Sequence, residues 1–396
     1  MNNLKLIKQI ATDIDKQGGK MYFVGGLVRD NILGKQNKDI DVEIHNISVE
    51  ATKNILSKYG EVSTVGASFG ILMLTGVDID FAFPRKENKI GKKHTDFEVS
   101  IDPYMGETEA ARRRDFTINA IMQNVLTGEI IDPFNGLKAL NEKTIMYVDE
   151  STYVEDPLRS LRAAQFASRL DMNINERVIQ LGQTLDYSHL SPERIYVELK
   201  KALMSPHPSI AIKQLKRMNV LSTILPELDA LSDLSEVFAR VDAAVTYRDT
   251  VSNPIAFMYV MMLLDTEALT QVQRLSNDKQ LANYITLFTK HIKHIEELDM
   301  LEHYQLSRLI VELPINDAIS AYQVLNNTDD VKQIKDYVGF VSNDGYGKIK
   351  KYITGKDLLN LGFKPGPQFG EKLDLLFDLQ LKGYSKEQLL ETIKST

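Results

Sequence analysis

The chain has 396 residues, a formal net charge of −7 and no cysteine. A length of this order suggests roughly two to four domains, and the absence of cysteine excludes disulfides, thiolate zinc sites and cysteine nucleophiles. The acidic balance argues against a protein held on nucleic acid by bulk charge, while leaving room for a shape-reading RNA enzyme with local basic patches. Met1 to Lys20 is polar and lacks the apolar run of a signal peptide. The richest apolar stretch, Pro254 to Leu264, is too short to span a bilayer, so a cytoplasmic protein without membrane contact is expected.

In chain order, a helix is predicted over Leu4 to Gln17, then strands at Met21–Val24 and Ile40–Ile44 and a helix over Val49 to Lys58. Further strand-like runs are Gly70–Leu74, Ile79–Phe83, and Glu129–Ile130 with Met146–Val148. From about Glu155 apolar residues recur at spacings of three and four. This predicts helices over Glu155–Leu170, Asn175–Leu185, Pro192–Met204, Pro208–Met218, Asn253–Leu263 and Leu281–Leu298. Strands followed by helices indicate an α+β head on an all-helical body. The expected division is a head over 1–150, a helical neck over 151–220, a helical body over 221–310 and a helical tail over 311–396. The segment 331–396 is mildly basic, with eleven lysines against eight acids.

The first motif is Gly25-Gly26-Leu27-Val28-Arg29-Asp30, followed by Lys38-Asp39-Ile40-Asp41-Val42. A glycine pair after a strand lets backbone N–H groups approach a triphosphate, and Arg29 adds positive charge. Residues i and i+2 of a strand share a face, so Asp39 and Asp41 would project together, with Ile40 and Val42 turned into the core. Two carboxylates so close are costly unless a cation neutralises them, which is what Mg²⁺ does at phosphoryl-transfer sites. The set is that of a nucleotidyltransferase.

The second motif is Arg113-Arg114-Asp115-Phe116-Thr117-Ile118-Asn119. Planar, permanently charged guanidinium suits a triphosphate. Asp115 and Asn119 are four apart and on a helix would share a face, where they could hold the ribose 2′-hydroxyl that CTP and ATP both present. The third is Glu155-Asp156-Pro157-Leu158-Arg159-Ser160-Leu161-Arg162. Asp156, Arg159 and Arg162 lie on successive turns while Leu158 and Leu161 pack inward. A carboxylate accepting from the exocyclic amine of cytosine or adenine, beside an arginine donating to the ring nitrogen, rejects uracil and guanine by leaving buried polar groups unpaired. Downstream, Ser191 is expected to cap a helix beginning at Pro192, with Lys200 and Lys201 as RNA contacts.

Together these motifs resemble the class II tRNA nucleotidyltransferase and bacterial poly(A) polymerase family over roughly residues 20–205. The resemblance implies a polymerase-β-type head of mixed sheet and helices, followed by an elongated helical neck, body and tail. It implies two Mg²⁺ ions on Asp39 and Asp41, a third carboxylate for which Asp80 is preferred to Asp78, and a base-reading EDxxR motif matched by Glu155, Asp156 and Arg159. The implied reaction is template-independent addition of CCA from CTP and ATP to the acceptor arm and 3′ end of tRNA. Poly(A) synthesis and partial CC or A addition are the alternatives. The charged stretch Arg85 to His94 resembles the flexible loop with which such enzymes switch from CTP to ATP, and the chain ends without the basic extension common among poly(A) polymerases. Some relatives carry an HD hydrolase domain. With no His-Asp dipeptide here, that region is expected to be degenerate or absent, and His291 and His294 are placed on a solvated helix face.

Overall fold

The computed structural model describes residues 3–37, 39–63, 70–77, 79–89, 97–343 and 350–394. The chain divides into two compact units, Met1–Asp229 and Ala230–Thr396. In the first, helix α1 (Asn3–Asp15) leads into strand β1 (Lys20–Val24), the glycine turn and helix α2 (Gly26–Ile32). Strand β2 (Ile40–His45) and helix α3 (Val49–Leu56) follow, then β3 (Val62–Ser63), β4 (Ile71–Leu74) and β5 (Ile79–Ala82). A hairpin of β6 (Arg85–Lys89) and β7 (Phe97–Ile101) precedes helix α4 (Glu107–Arg112), and β8 (Met122–Asn124) and β9 (Ile130–Ile131) complete the strands of the head. The main sheet has the order β3-β4-β5-β2-β1-β8-β9, with β2 and β5 parallel at its centre.

Alternation along β2 divides the sheet into two faces. Val42 and Ile44, with Ile79 and Phe81 of β5, join Ile7, Ile10 and Ile14 of α1 and Ile55 and Leu56 of α3 in one apolar core. Tyr22 and Val24 of β1 pack on the other face with Ala110 and Ala111 of α4 and Met122 of β8. Asp41, Glu43 and His45 alternate with the core residues and therefore point to that second face. Val42 is buried as expected, but Asp39 precedes the strand, so of the two aspartates only Asp41 is placed by the alternation.

Four local expectations differ. Residues 113–120 are not one helix: α4 stops at Arg112, Phe116 is extended, and only Thr117–Asn119 turns, as a 3₁₀ helix. Asp115 diverts the backbone by accepting the N–H of Phe116 at 2.8 Å, a local bond that competes with helix. The helix predicted over Glu155–Leu170 is broken at Asp156, because a residue before proline is driven out of helical geometry. It becomes helix α6 (Glu150–Glu155) and helix α7 (Leu158–Leu170). Arg85–Lys89 of the charged loop forms a strand, and its remainder, 90–96, lies outside the described residues. Met146–Val148 supplies only an isolated bridge from Tyr147 to Phe116, while β9 pairs with β8.

The neck helix α7 packs against helices Pro192–Leu203 and Pro208–Arg217. Ser191 stands at the N-cap of the former but its side chain makes no capping bond. Lys201 is taken up by Glu198 at 2.8 Å. The second unit is helical, built around the helix Pro254–Leu263, which is buried from Ala256 onward. His291 is buried there, not solvated, and bonds Glu312 at 2.6 Å. Burial tends to raise Glu312, but the bonds from His291 and Lys290 and the charge of Arg308 hold its carboxyl at about 2.

Candidate active site

The site forms on the second face of the sheet, where β1 ends in the glycine turn. Gly25 has φ +67°, a conformation that side chains rarely adopt, and a Cβ there would lie 3.2 Å from Nη1 of Arg114. The glycine thus allows the guanidinium to sit directly over the turn. Arg114 is held there by Glu43, at 3.4 Å from Nη2, while Arg113 donates to the same Oε2 at 3.0 Å. The other oxygen, Oε1, faces His45 Nε2 at 3.0 Å, and His45 Nδ1 lies 3.3 Å from the carbonyl of Met105. Glu43 is wholly buried. Burial alone would raise its pKa, but the His45 bond and the charges of Arg114 and Arg113 hold it at about 2. Arg114 Nε is buried with no hydrogen-bond partner among the described residues, so part of its donor fork is left for an anion.

Asp41 lies in register with Asp80 on the neighbouring parallel strand. Partial enclosure, then the negative charges of Asp80 and Asp39, raise the Asp41 pKa against the pull of Arg114. The three aspartates therefore share one electrostatic environment, although Asp39 is exposed and precedes the strand. Asp78 lies outside the described residues. Among the described residues no three His, Cys, Asp or Glu side chains form a cluster that could hold a metal ion, the three aspartates included. Mg²⁺ does not require one, since it commonly takes one or two carboxylates and completes its shell with water and phosphate oxygens. The all-oxygen set, with one carboxyl raised by its neighbours, fits such an ion.

The remaining sequence-derived candidates occupy different surroundings. Arg29 is only 2% exposed. Its fork is committed to Asp30 (2.8 Å from Nε) and to Asn119 Oδ1 (2.6 Å from Nη1), and its face lies on Phe166, so it does not extend toward a phosphate as its position after the glycines suggested. Asp115 and Asn119 do meet, at 2.9 Å, but through the turn and not along a helix. Asp115 Oδ2 receives Arg162 from Nε at 2.8 Å and Nη2 at 2.6 Å. Burial pushes Asp115 up, and Arg162, Asn119 and the N–H of Phe116 outweigh it, so its carboxyl lies below the ordinary range.

Asp156 pairs with Arg194 at 2.7 Å and accepts the N–H of Leu158, so it does not act with Arg159 alone. Arg159 donates to the carbonyl of Arg113 at 3.0 Å and to Thr152 at 3.3 Å. It lines a cavity of about 220 Å³ whose wall includes Arg85, Lys86, Arg112, Arg113 and Glu155. Five cations against two carboxylates, Glu109 and Glu155, leave this recess net positive.

Glu43, His45, Asn37, Phe166 and Arg194 were not singled out from sequence. For Glu43 and His45 the signal was present: they continue the Asp39, Asp41 alternation onto the same face. Phe166 lies four residues after Arg162 and three before Arg169, on one face of α7.

Residues 21–146 match the poly(A) polymerase head domain, and 184–231 match a segment described as the probable RNA and SrmB-binding site of polymerase A. The chain is 34% identical over 247 residues to the multifunctional CCA protein of Stenotrophomonas maltophilia, covering 60% of this chain and 59% of that protein. It is 30% identical over 292 residues to that of Pasteurella multocida, covering 72% and 65%. The chain thus matches less than two thirds of the length of these relatives. Among solved structures, the Bacillus stearothermophilus CCA-adding enzyme in complex with CTP aligns over 100% of this chain and 98% of its own, with TM-score 0.73 and 20% identity. The Thermotoga maritima CCA-adding enzyme complexed with tRNA aligns over 99% and 95%, with TM-score 0.66 and 22% identity. At such identity these two speak for the fold, a polymerase head with a helical body.

Proposed function

We propose that the chain belongs to the tRNA nucleotidyltransferase and poly(A) polymerase family, whose head domain it matches over residues 21–146, and that it adds or repairs the 3′-terminal CCA of tRNA from CTP and ATP. The observation that carries the reading is the register of Asp41 with Asp80, beside an arginine that Glu43 holds over a glycine turn. Asp39, Asp41 and Asp80 would hold Mg²⁺, which when bound lowers the pKa of the RNA 3′-hydroxyl and neutralises the triphosphate and leaving pyrophosphate. Arg114 and the N–H groups of Gly25 and Gly26 position the phosphates for in-line attack on the α-phosphorus. Asp115 and Asn119 select ribose, with Asp115 already oriented by Arg162.

Asp156 and Arg159, with Arg162 behind them, read the amine-bearing edge of cytosine or adenine. The cationic recess lined by Arg159 would receive anionic groups of substrate. In this division of labour the head over 1–150 carries the chemistry and the neck over 151–220 the base-reading helix. The helical neck and the tail over 311–396 hold the tRNA acceptor arm, read through A-form shape and phosphates. We place the activity in the cytoplasm; among the described residues no helix is long and apolar enough to cross a membrane.

The decisive experiment is incorporation on three tRNA transcripts, ending before C, before CA, and complete, each with CTP, ATP or both and Mg²⁺. Addition of CCA followed by a halt is expected. Long A tails would make the chain a poly(A) polymerase, and CC or A alone a divided-labour enzyme.

A further inference from the structure

The backbone at Asp39, one of the candidate metal residues, and the base-reading helix are joined by an unbroken series of hydrogen bonds through the head. The Asp39 N–H donates to Asn37 Oδ1 at 2.9 Å, and Asn37 Nδ2 donates to Asp30 Oδ2 at 2.8 Å. Arg29 Nε donates to Asp30 Oδ1 at 2.8 Å, and its Nη1 to Asn119 Oδ1 at 2.6 Å. Asn119 Nδ2 donates to Asp115 Oδ1 at 2.9 Å, and Asp115 Oδ2 receives the Arg162 fork. The middle of this series is out of solvent: Arg29 is 2%, Asp30 3% and Asn119 6% exposed.

Helix α7 grips the series at three points on one face. Arg162 holds Asp115, Arg169 reaches Asp30 at 3.3 Å, and the guanidinium groups of Arg29 (5.2 Å) and Arg162 (5.3 Å) both lie over the Phe166 ring. Donors and acceptors alternate along the series, so each side chain has one orientation, and a buried network of this kind is stiff when complete.

We propose that Arg29, Asp30 and Asn37 are positioning residues that set the Asp39 end of the metal site against the base-reading face of α7, without themselves touching the nucleotide. This rests on the function proposed above and adds a coupling to it: a base seated against α7 and an ion seated at Asp39 report to each other through the series. Arg29 is its irreplaceable link. A lysine would keep the charge but has one ammonium, where the guanidinium fork bonds Asp30 and Asn119 at once.

The test uses the full chain and two equilibrium readouts: Mn²⁺ affinity by electron paramagnetic resonance with CTP present, and the ratio of CTP to UTP affinity. Asn37→Ala changes a half-buried loop residue and should weaken Mn²⁺ by about five- to tenfold, the worth of one hydrogen bond, with the CTP:UTP ratio kept. Arg29→Lys should weaken Mn²⁺ and also narrow the CTP:UTP ratio by a similar factor. The double variant should bind Mn²⁺ no more weakly than Arg29→Lys alone, because the series is already open. Should Arg29→Lys not fold, Asp30→Asn takes its place with the same expectations.

Multiplicative losses of Mn²⁺ affinity in the double variant would overturn the proposal. So would unchanged Mn²⁺ binding by Asn37→Ala, or a wild-type CTP:UTP ratio in Arg29→Lys. A wild-type chain that does not distinguish CTP from UTP sinks the proposed function and the coupling together. A selective wild type with multiplicative variants sinks the coupling alone.

Discussion

Replacing Glu43 by glutamine keeps the shape of the side chain and removes the buried carboxylate that His45, Arg113 and Arg114 share. Two independent routes give the same cost. Breaking a buried ion pair by neutralising one partner costs about 3–5 kcal/mol, because the opposite charges are left buried and uncompensated. A glutamate carboxyl held at about 2 against an ordinary 4.5 represents about 3 kcal/mol of folding stability at neutral pH. A depressed pKa contributes stability that is fully present above 4.5 and is lost as pH falls toward 2. Wild type and Glu43→Gln should therefore differ by about 3 kcal/mol at pH 7 and converge between pH 4.5 and 2.

Because the chain has two compact units, the suitable assay is native-state hydrogen exchange at the amides of β1 and β2, read against pH, since it reports the head alone. A difference below about 1 kcal/mol, no larger than one ordinary hydrogen bond, would refute the reasoning. So would a difference that stays constant from pH 6 to 3.

Asp41→Ala should abolish nucleotide addition while leaving the thermal midpoint unchanged or slightly raised, since the carboxyl it removes is repelled by Asp80 and Asp39. Turnover at the wild-type rate, or a clear loss of stability, would contradict the metal assignment. Gly25→Ala should cost about 2 kcal/mol of backbone strain at φ +67° and weaken CTP binding by displacing Arg114, measured by thermal melting and nucleotide titration. Asp156→Ala should narrow the preference for CTP over UTP more than it lowers the maximal rate. Misincorporation assays check this, and an unchanged preference would refute the template reading. Glu312→Gln should destabilise the second unit at neutral pH, with the loss fading as pH falls from 4.5 toward 2, seen by exchange at the amides of helix His303–Glu312.

Periodicity and short motifs determined much of this protein. Alternation in Ile40–Ile44 placed Asp41 opposite the core, and three-four spacing located α7 and its inward Leu158 and Leu161, which are buried. These properties depend on a few neighbouring residues, so they can be read from the chain. The partners of the charged side chains could not. Arg29 followed the glycines and seemed placed for phosphate, yet Asn119, ninety residues away, and Phe166 hold it inside. Asp156 and Arg159 looked like a pair on adjacent turns, yet Arg194 takes Asp156 and the carbonyl of Arg113 takes Arg159. An ion pair is chosen by which side chains the packed elements bring within a few ångströms. That choice depends on the crossing of α2, the 113–120 turn and α7, and no local spacing encodes it.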